Sequence, residues 1–256
     1  MTYCLGMLLE AGLVMMADTR TNAGVDNISS YKKLHILESS EAMCVIACTA
    51  GNLSVSQLAF NYLAEGLPEI EEGAGRRRIA GMANMHRVAG LVGEAIHCAR
   101  EEIKEATGEN QYDFTASMLV GGRFAGRPLR LFHIYSVGNF ISCQPDRPFL
   151  QIGETKYGRP ILDRAARWEM ALDDAVKTGL LSFDSTMRSN LGVGRPIDLA
   201  VLPADEGQPM LTRRIEEEDA YFDELSRLWA KALAEVRKGI PMPPFMAGVG
   251  GAQAAG

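Results

Sequence analysis

Thr2 directly follows Met1, and Met1 precedes a small residue, the context in which an initiator methionine is normally removable. Without Met1, Thr2 carries a hydroxyl nucleophile and a free α-amine on one residue. The amine, with a pKa of about 8, can take the hydroxyl proton directly or through a water. A hydroxyl is a poor nucleophile near neutral pH unless charge supports it. Asp18 and Lys33 are placed to supply that charge. A lysine ammonium lowers the pKa of a neighbouring hydroxyl, and a carboxylate holds the lysine charged and oriented. Taken singly, each has a plainer reading: Thr2 an ordinary second residue, Asp18 a turn residue, Lys33 a solvated strand residue.

The elements around these residues make their meeting plausible. Two apolar runs, 3–9 and 13–17, flank Glu10-Ala11-Gly12 and predict a hairpin with both strands buried. Such a hairpin returns Asp18 to the chain start. Residues 21–30 are polar and predict a loop leading back to Lys33. A second hairpin is expected from 34–37 and 43–49, broken by Ala50-Gly51-Asn52. Helical spacing follows over 54–67 and over a long stretch, 76–106, whose Gly81, Gly90 and Gly93 permit close helix contacts. Strands are expected at 115–120, 130–135 and 140–142, a tight glycine-flanked segment at 153–158, a helix at 162–182, a strand at 197–202 and a last helix at 216–238. Strands and helices in segregated blocks predict an α+β layered domain. One domain is expected over 1–240, with a flexible Pro/Gly/Ala tail over 241–256.

Composition excludes several other classes. Of 256 residues, 32 are Asp or Glu and 26 Lys or Arg, a net charge of -6, which argues against nucleic acid as a bulk partner. The five cysteines lack zinc-site clustering and predict reduced, mostly buried thiols in a cytoplasmic chain. The four histidines, His35, His86, His97 and His133, suggest no triad, and no metal or cofactor is expected. There is no signal-peptide pattern, and no apolar run reaches the roughly 18–20 residues a membrane helix needs. An ATP-binding Gly-x-x-x-x-Gly-Lys-Ser/Thr loop is absent too.

Thr2 at the start, Ala17-Asp18-Thr19-Arg20 closing the second strand, Lys32-Lys33-Leu34-His35-Ile36 opening the third and Thr49-Ala50-Gly51 ending the fourth resemble, in order and spacing, the proteasome β-subunit pattern. Residues 17–37, 153–164 and 184–194 look closest to its bacterial branch called Anbu, the ancestral β-subunit proteins. The resemblance runs to about Leu202. It implies the four-layer αββα sandwich of N-terminal nucleophile hydrolases, acting on a peptide or peptide-like substrate; a hydrolase of a small peptide-like metabolite in a biosynthetic pathway and a catalytically silent assembly subunit are the alternatives. It assigns Thr2 as nucleophile, Asp18 as carboxylate partner and Lys33 as basic partner. Adjacent strand residues face opposite ways, so only one of Lys32 and Lys33 can point at the nucleophile, and the match to the family's second lysine selects Lys33, although the loop before it is one residue shorter here. The Gly51 backbone N–H would complete the oxyanion hole. By the same match Asn22, Gly51 and Leu53 line the cleft, and Thr21, Tyr31, Thr49 and Leu53 border the side-chain pocket. The resemblance also implies self-association, as a closed ring or as an open helical array. Apolar residues on the 76–106 and 216–238 helices suit either core or interface.

Two segments depart from the family pattern. Gly153-Glu154-Thr155 stands where a Gly-Ser-Gly turn is usual. A carboxylate there would hold the threonine amine charged, enter proton traffic itself, or turn outward into a subunit contact. The usual Asp-x-x-Ser-Gly segment is also absent. An ungapped match puts Asn190 at the aspartate and Val193 at the serine, whereas a gapped one uses Asp184 or Ser189.

Overall fold

A computed structural model describes residues 1–22, 28–70, 75–108 and 113–246 of the chain. The expected tail beyond 246 therefore lies outside the described residues. By its contacts the chain divides into two units, Met1–Glu217 and Glu218–Gly256.

The first unit opens with the expected hairpin, β1 (Tyr3–Leu9) and β2 (Gly12–Asp18), buried along its whole length. A small ladder of β3 (Arg20–Asn22) and β4 (Ile28–Ser30) follows, where a plain loop was expected. Its strands of three residues give no periodic signal. Then come β5 (Leu34–Ser39), β6 (Met43–Gly51) and helix α1 (Leu53–Glu65), with Asn52 accepting from the Val55 amide at its start.

The long helix α2 begins later than its apolar spacing suggests, at Met85, and runs to Thr107. Asn84 is the stronger start signal: its side chain accepts from the Arg87 amide. Upstream, Arg77 pairs with Leu67 in a β-bridge and Ile79–Gly81 forms a 3-10 turn. Gly93 does mark a close approach, since a Cβ there would lie 2.1 Å from the Gly138 carbonyl oxygen. At Gly90 there is no such neighbour.

Strands β7 (Ala116–Phe124), β8 (Arg130–Ile134), β9 (Phe140–Ser142) and β10 (Phe149–Gly153) come next. The helix expected over 162–182 is two helices, α3 (Arg159–Ala165) and α4 (Leu172–Ser189). Pro160 starts the first, and the break between them turns the Trp168 carbonyl onto the Glu10 amide of the opening hairpin. Strands β11 (Ile197–Pro203) and β12 (Leu211–Ile215) close the unit. The second unit holds α5 (Ala220–Gly239), started by Asp219 rather than at 216.

Two antiparallel five-stranded sheets result, β10-β1-β2-β11-β12 and β5-β6-β7-β8-β9. Alternation along β1 and β2 explains their complete burial. Cys4, Leu8, Leu13, Met15 and Ala17 join Ile46, Leu119 and Leu131 in a core between the sheets. The other face meets α4: Tyr3 packs on Phe183 with ring centroids 4.5 Å apart, and a Cβ on Gly179 would lie 2.7 Å from the Met16 sulfur. Each fully buried Leu or Met in such layers contributes about 1.5–3 kcal/mol. Alternate residues Met43, Val45 and Ala47 of β6 point the other way, into a core with α1 and α2. The layers are thus helices, sheet, sheet, helices: an αββα sandwich.

Candidate active site

The hairpin register puts Cys4 opposite Ala17, so the end of β2 lies beside the first residues of the chain. The Tyr3 amide donates to Asp18 Oδ1 at 3.0 Å. On the other side of β1, Tyr3 pairs with Gly153 of β10, and the Glu154 amide donates to the Thr2 carbonyl at 2.7 Å. The peptide following Thr2 is therefore held at both of its polar atoms. Gly153 is required here: its φ is +81°, and a Cβ would lie 2.0 Å from the Thr2 carbonyl oxygen.

Lys33 enters from the segment before β5. Its Nζ lies 2.8 Å from Asp18 Oδ1 and donates to the Arg20 carbonyl at 2.6 Å. Both side chains are buried, Asp18 fully and Lys33 at 5% exposure. Burial pushes the Asp18 carboxyl above its ordinary value, while the Lys33 ammonium and the Tyr3 and Gly194 amides pull it back down. Asp18 Oδ2 has no hydrogen bond of good geometry among the described residues. Thr2 itself is half-buried, and Met1 is exposed and occupies the position of a free amine.

A loop after α4 closes the rim. Asn190 caps α4, accepts from the Gly192 amide at 2.9 Å and donates from Nδ2 to Glu154 Oε2 at 3.0 Å. Glu154 is 7% exposed, and its Oε1 lies 4.0 Å from Nζ of the exposed Lys156. A Cβ on Gly192 would meet the Met1 side chain at 2.7 Å, and one on Gly194 would meet the Arg20 guanidinium at 2.2 Å. Arg20 donates to the Leu191 carbonyl at 3.2 Å and lies 3.7 Å from Glu217.

The structure thus brings Thr2, Asp18, Lys33, Glu154 and Asn190 into one neighbourhood. Ser189 is exposed at the last turn of α4, and Asp184 pairs with Arg188 one turn along the same helix. Gly51 ends β6 with φ +107°, and a Cβ would lie 2.4 Å from the Thr115 carbonyl oxygen. Glycine is therefore demanded by the neighbouring strand β7, whatever approaches from outside. Leu53 is half-buried at the first position of α1. Thr49 is buried: its hydroxyl donates to Ser56, whose own hydroxyl donates to the Asn52 carbonyl. Thr21 is half-buried opposite Ser29, and Tyr31, 40% exposed, donates its amide to the Thr19 carbonyl. Asn22 ends β3 opposite Ile28, and its side chain lies outside the described residues.

Sequence reasoning missed the Tyr3 anchor. The Tyr3 hydroxyl lies 2.6 Å from Ser182 Oγ and accepts from Gln151 Nε2 at 2.6 Å, while burial pushes the phenol well above its usual range. These partners sit 179 and 148 residues away, and no local pattern announces them. Among the described residues no group of three His, Cys, Asp or Glu side chains is placed to hold a metal. Within the same residues no helix is long and apolar enough to cross a membrane.

Comparison with known proteins bears on this arrangement. The profile of the family described as "Proteasome subunit" matches residues 82–202. No match is found among curated proteins. Among solved structures, Anbu from Hyphomicrobium sp. strain MC1 is 43% identical, with a TM-score of 0.84 over 94% of this chain and 99% of that one. Anbu from Yersinia bercovieri is 38% identical, with a TM-score of 0.84 over 94% and 98%. The helical assembly of the Anbu complex from Pseudomonas aeruginosa is 39% identical, with a TM-score of 0.84 over 95% and 98%. With this identity over nearly its full length, the chain belongs to the Anbu, or ancestral β-subunit, family of proteasome-type N-terminal nucleophile hydrolases.

Proposed function

We propose that the chain is a threonine-type amide-bond hydrolase whose nucleophile is the Thr2 hydroxyl, exposed with its amine when Met1 is removed. The observation that carries this reading is the buried Lys33–Asp18 pair, fixed one residue from Thr2 by the Tyr3–Asp18 hydrogen bond. In the mechanism, the Thr2 amine takes the hydroxyl proton as Oγ1 attacks the substrate carbonyl. The oxyanion accepts a hydrogen bond from the Gly51 backbone N–H. The amine then returns the proton to the departing amine product, which leaves an ester on Thr2. Water, deprotonated by the same amine, hydrolyses that ester. Lys33 favours the developing alkoxide, and Asp18 keeps the lysine charged. Asn22, Leu53, Thr21, Tyr31 and Thr49 are proposed to border the substrate cleft.

The departures at Glu154 and over 184–194 carry two other readings, a hydrolase of a small peptide-like metabolite and a catalytically silent assembly subunit. The Pseudomonas aeruginosa relative forms a helical assembly. We propose self-association for this chain as well; light scattering after size exclusion at micromolar concentration should show it, and a monomer there would refute it.

The test of the activity is intact mass spectrometry with a β-lactone probe. The expected product is the chain lacking Met1 with one probe on Thr2, and no label on Thr2→Ala. Retained Met1, or labelling that survives in Thr2→Ala, overturns the mechanism.

A further inference from the structure

We infer that Glu154 and Asn190 form a carboxylate–amide seat for the α-ammonium of Thr2 freed by loss of Met1, with Glu154 Oε1 as the acceptor. This rests on the Thr2 reading above and assigns Glu154 a specific part in it.

Position comes first. The Glu154 amide already holds the Thr2 carbonyl, and Gly153 fixes that register by its close approach. The Met1 side chain lies against Gly192, whose amide is bound by Asn190 Oδ1. Asn190 Nδ2 in turn binds Glu154 Oε2. Residues 154, 190 and 192 therefore surround the segment that becomes the new chain terminus.

Charge comes second. A carboxylate that is 7% exposed is costly unless donors or a cation compensate it. Asn190 supplies one neutral donor to Oε2. The cation nearest Oε1 is Lys156 at 4.0 Å, and that side chain is 79% exposed. Two further cations near the terminus have partners of their own. Lys33, before β5, is bound to Asp18 of β2, and Arg20 of β3 is engaged with the Leu191 carbonyl and Glu217. From α4 the rim receives the neutral Asn190, while Asp184 and Arg188 of that helix pair with each other at 3.1 Å. Removal of Met1 takes away its side chain and its own α-ammonium and moves the charged terminus one residue inward, onto Thr2.

An adjacent carboxylate favours the ammonium over the free amine. The Thr2 amine then becomes a competent base at a higher pH than the about 8 of an ordinary terminus. Neutralising Glu154 should thus make Thr2 more reactive near pH 7, although a buried polar residue has been removed.

The experiment uses the full chain lacking Met1, with its terminus carrying carbon-13 methyl groups from reductive methylation and titrated by NMR. Glu154→Gln should lower the amine midpoint by about one unit, and Glu154→Asp should keep it near wild type. Glu154→Ala is a second neutral variant, so a folding defect in one does not decide the matter. On unmethylated protein, β-lactone labelling of Glu154→Gln at pH 7 should be up to about tenfold faster, with the wild-type rate recovered only at higher pH. An unchanged amine midpoint in both neutral variants overturns the seat. So does slower labelling of Glu154→Gln at every pH, which would make Glu154 itself the proton carrier. The amine titration needs no activity. A shifted midpoint in a wild type that never labels sinks the hydrolase reading and leaves the seat standing; labelling at Thr2 without a shift does the reverse.

Discussion

Two buried carboxylates flank the start of this chain, and they differ in what compensates them. Asp18 lies at the end of a fully buried strand, with the Lys33 ammonium 2.8 Å away and a backbone amide at 3.0 Å. Glu154 lies just beyond a β-strand, with the neutral Asn190 amide at 3.0 Å and an exposed lysine at 4.0 Å. The first is a closed unit in charge, balanced within the fold, although its Oδ2 accepts no hydrogen bond of good geometry among the described residues. The second has only an exposed cation within 4.0 Å among the described residues, beside a terminus whose α-ammonium moves from residue 1 to residue 2 on processing. One region serves stability and charge support together, and the other is free to respond to the state of residue 1.

The largest effect is expected where the closed unit is opened. Lys33→Ala leaves the Asp18 carboxylate buried without its cation and should cost about 3–5 kcal/mol, read as a drop in denaturant midpoint. A loss below about 1 kcal/mol would break the distinction between the two regions. Tyr3 touches both regions through its backbone, and Tyr3→Phe strands the Gln151 donor and Ser182; a loss of about 1–3 kcal/mol is expected in the same measurement.

A smaller effect concerns pH. Because burial raises the Asp18 carboxyl, the folded chain binds a proton there at a pH where the unfolded chain has released it. Its contribution to stability therefore falls as pH rises from the ordinary carboxylate value through the raised folded value. Asp18→Asn should flatten that slope in urea titrations stepped across the acid range, against wild type. Smallest of all, Glu154→Gln keeps an acceptor for Asn190 and should change stability by about 1 kcal/mol or less. A loss as large as that of Lys33→Ala would mean that Glu154 is structural rather than responsive.

The closed unit was legible in the sequence because it is built by a hairpin and the strand that follows. Two apolar runs and one Glu/Gly turn return Asp18 to the start of the chain, and Asp18 and Lys33 are 15 residues apart. The responsive region was legible only in part. Glu154 and Asn190 could be named, but their meeting depends on a 36-residue separation and on the end of α4, which apolar spacing placed too early. Strand β10 was missed because its five residues alternate weakly, and β12 because four of its five residues are exposed. An α+β layered domain could be foreseen from apolar runs, whereas the arrangement of two sheets between helix layers followed only from the family resemblance. The break at residues 166–171 could not be foreseen, since it depends on a tertiary contact of Trp168, whereas the start at Asn84 carries a cap signal that the longer apolar spacing masks.

Gly153 separates what must stay from what can change. Its missing side chain lets the sheet close on the Thr2 carbonyl, so the backbone geometry of the terminus is set before any side chain at 154 is chosen. Position 154 is thereby an exchangeable module. A carboxylate, an amide or a hydroxyl can be installed there by single substitution while the same amide keeps its grip on Thr2. On the proposed reading, a protein engineer could tune the proton affinity of the terminus through residue 154 without redesigning the scaffold.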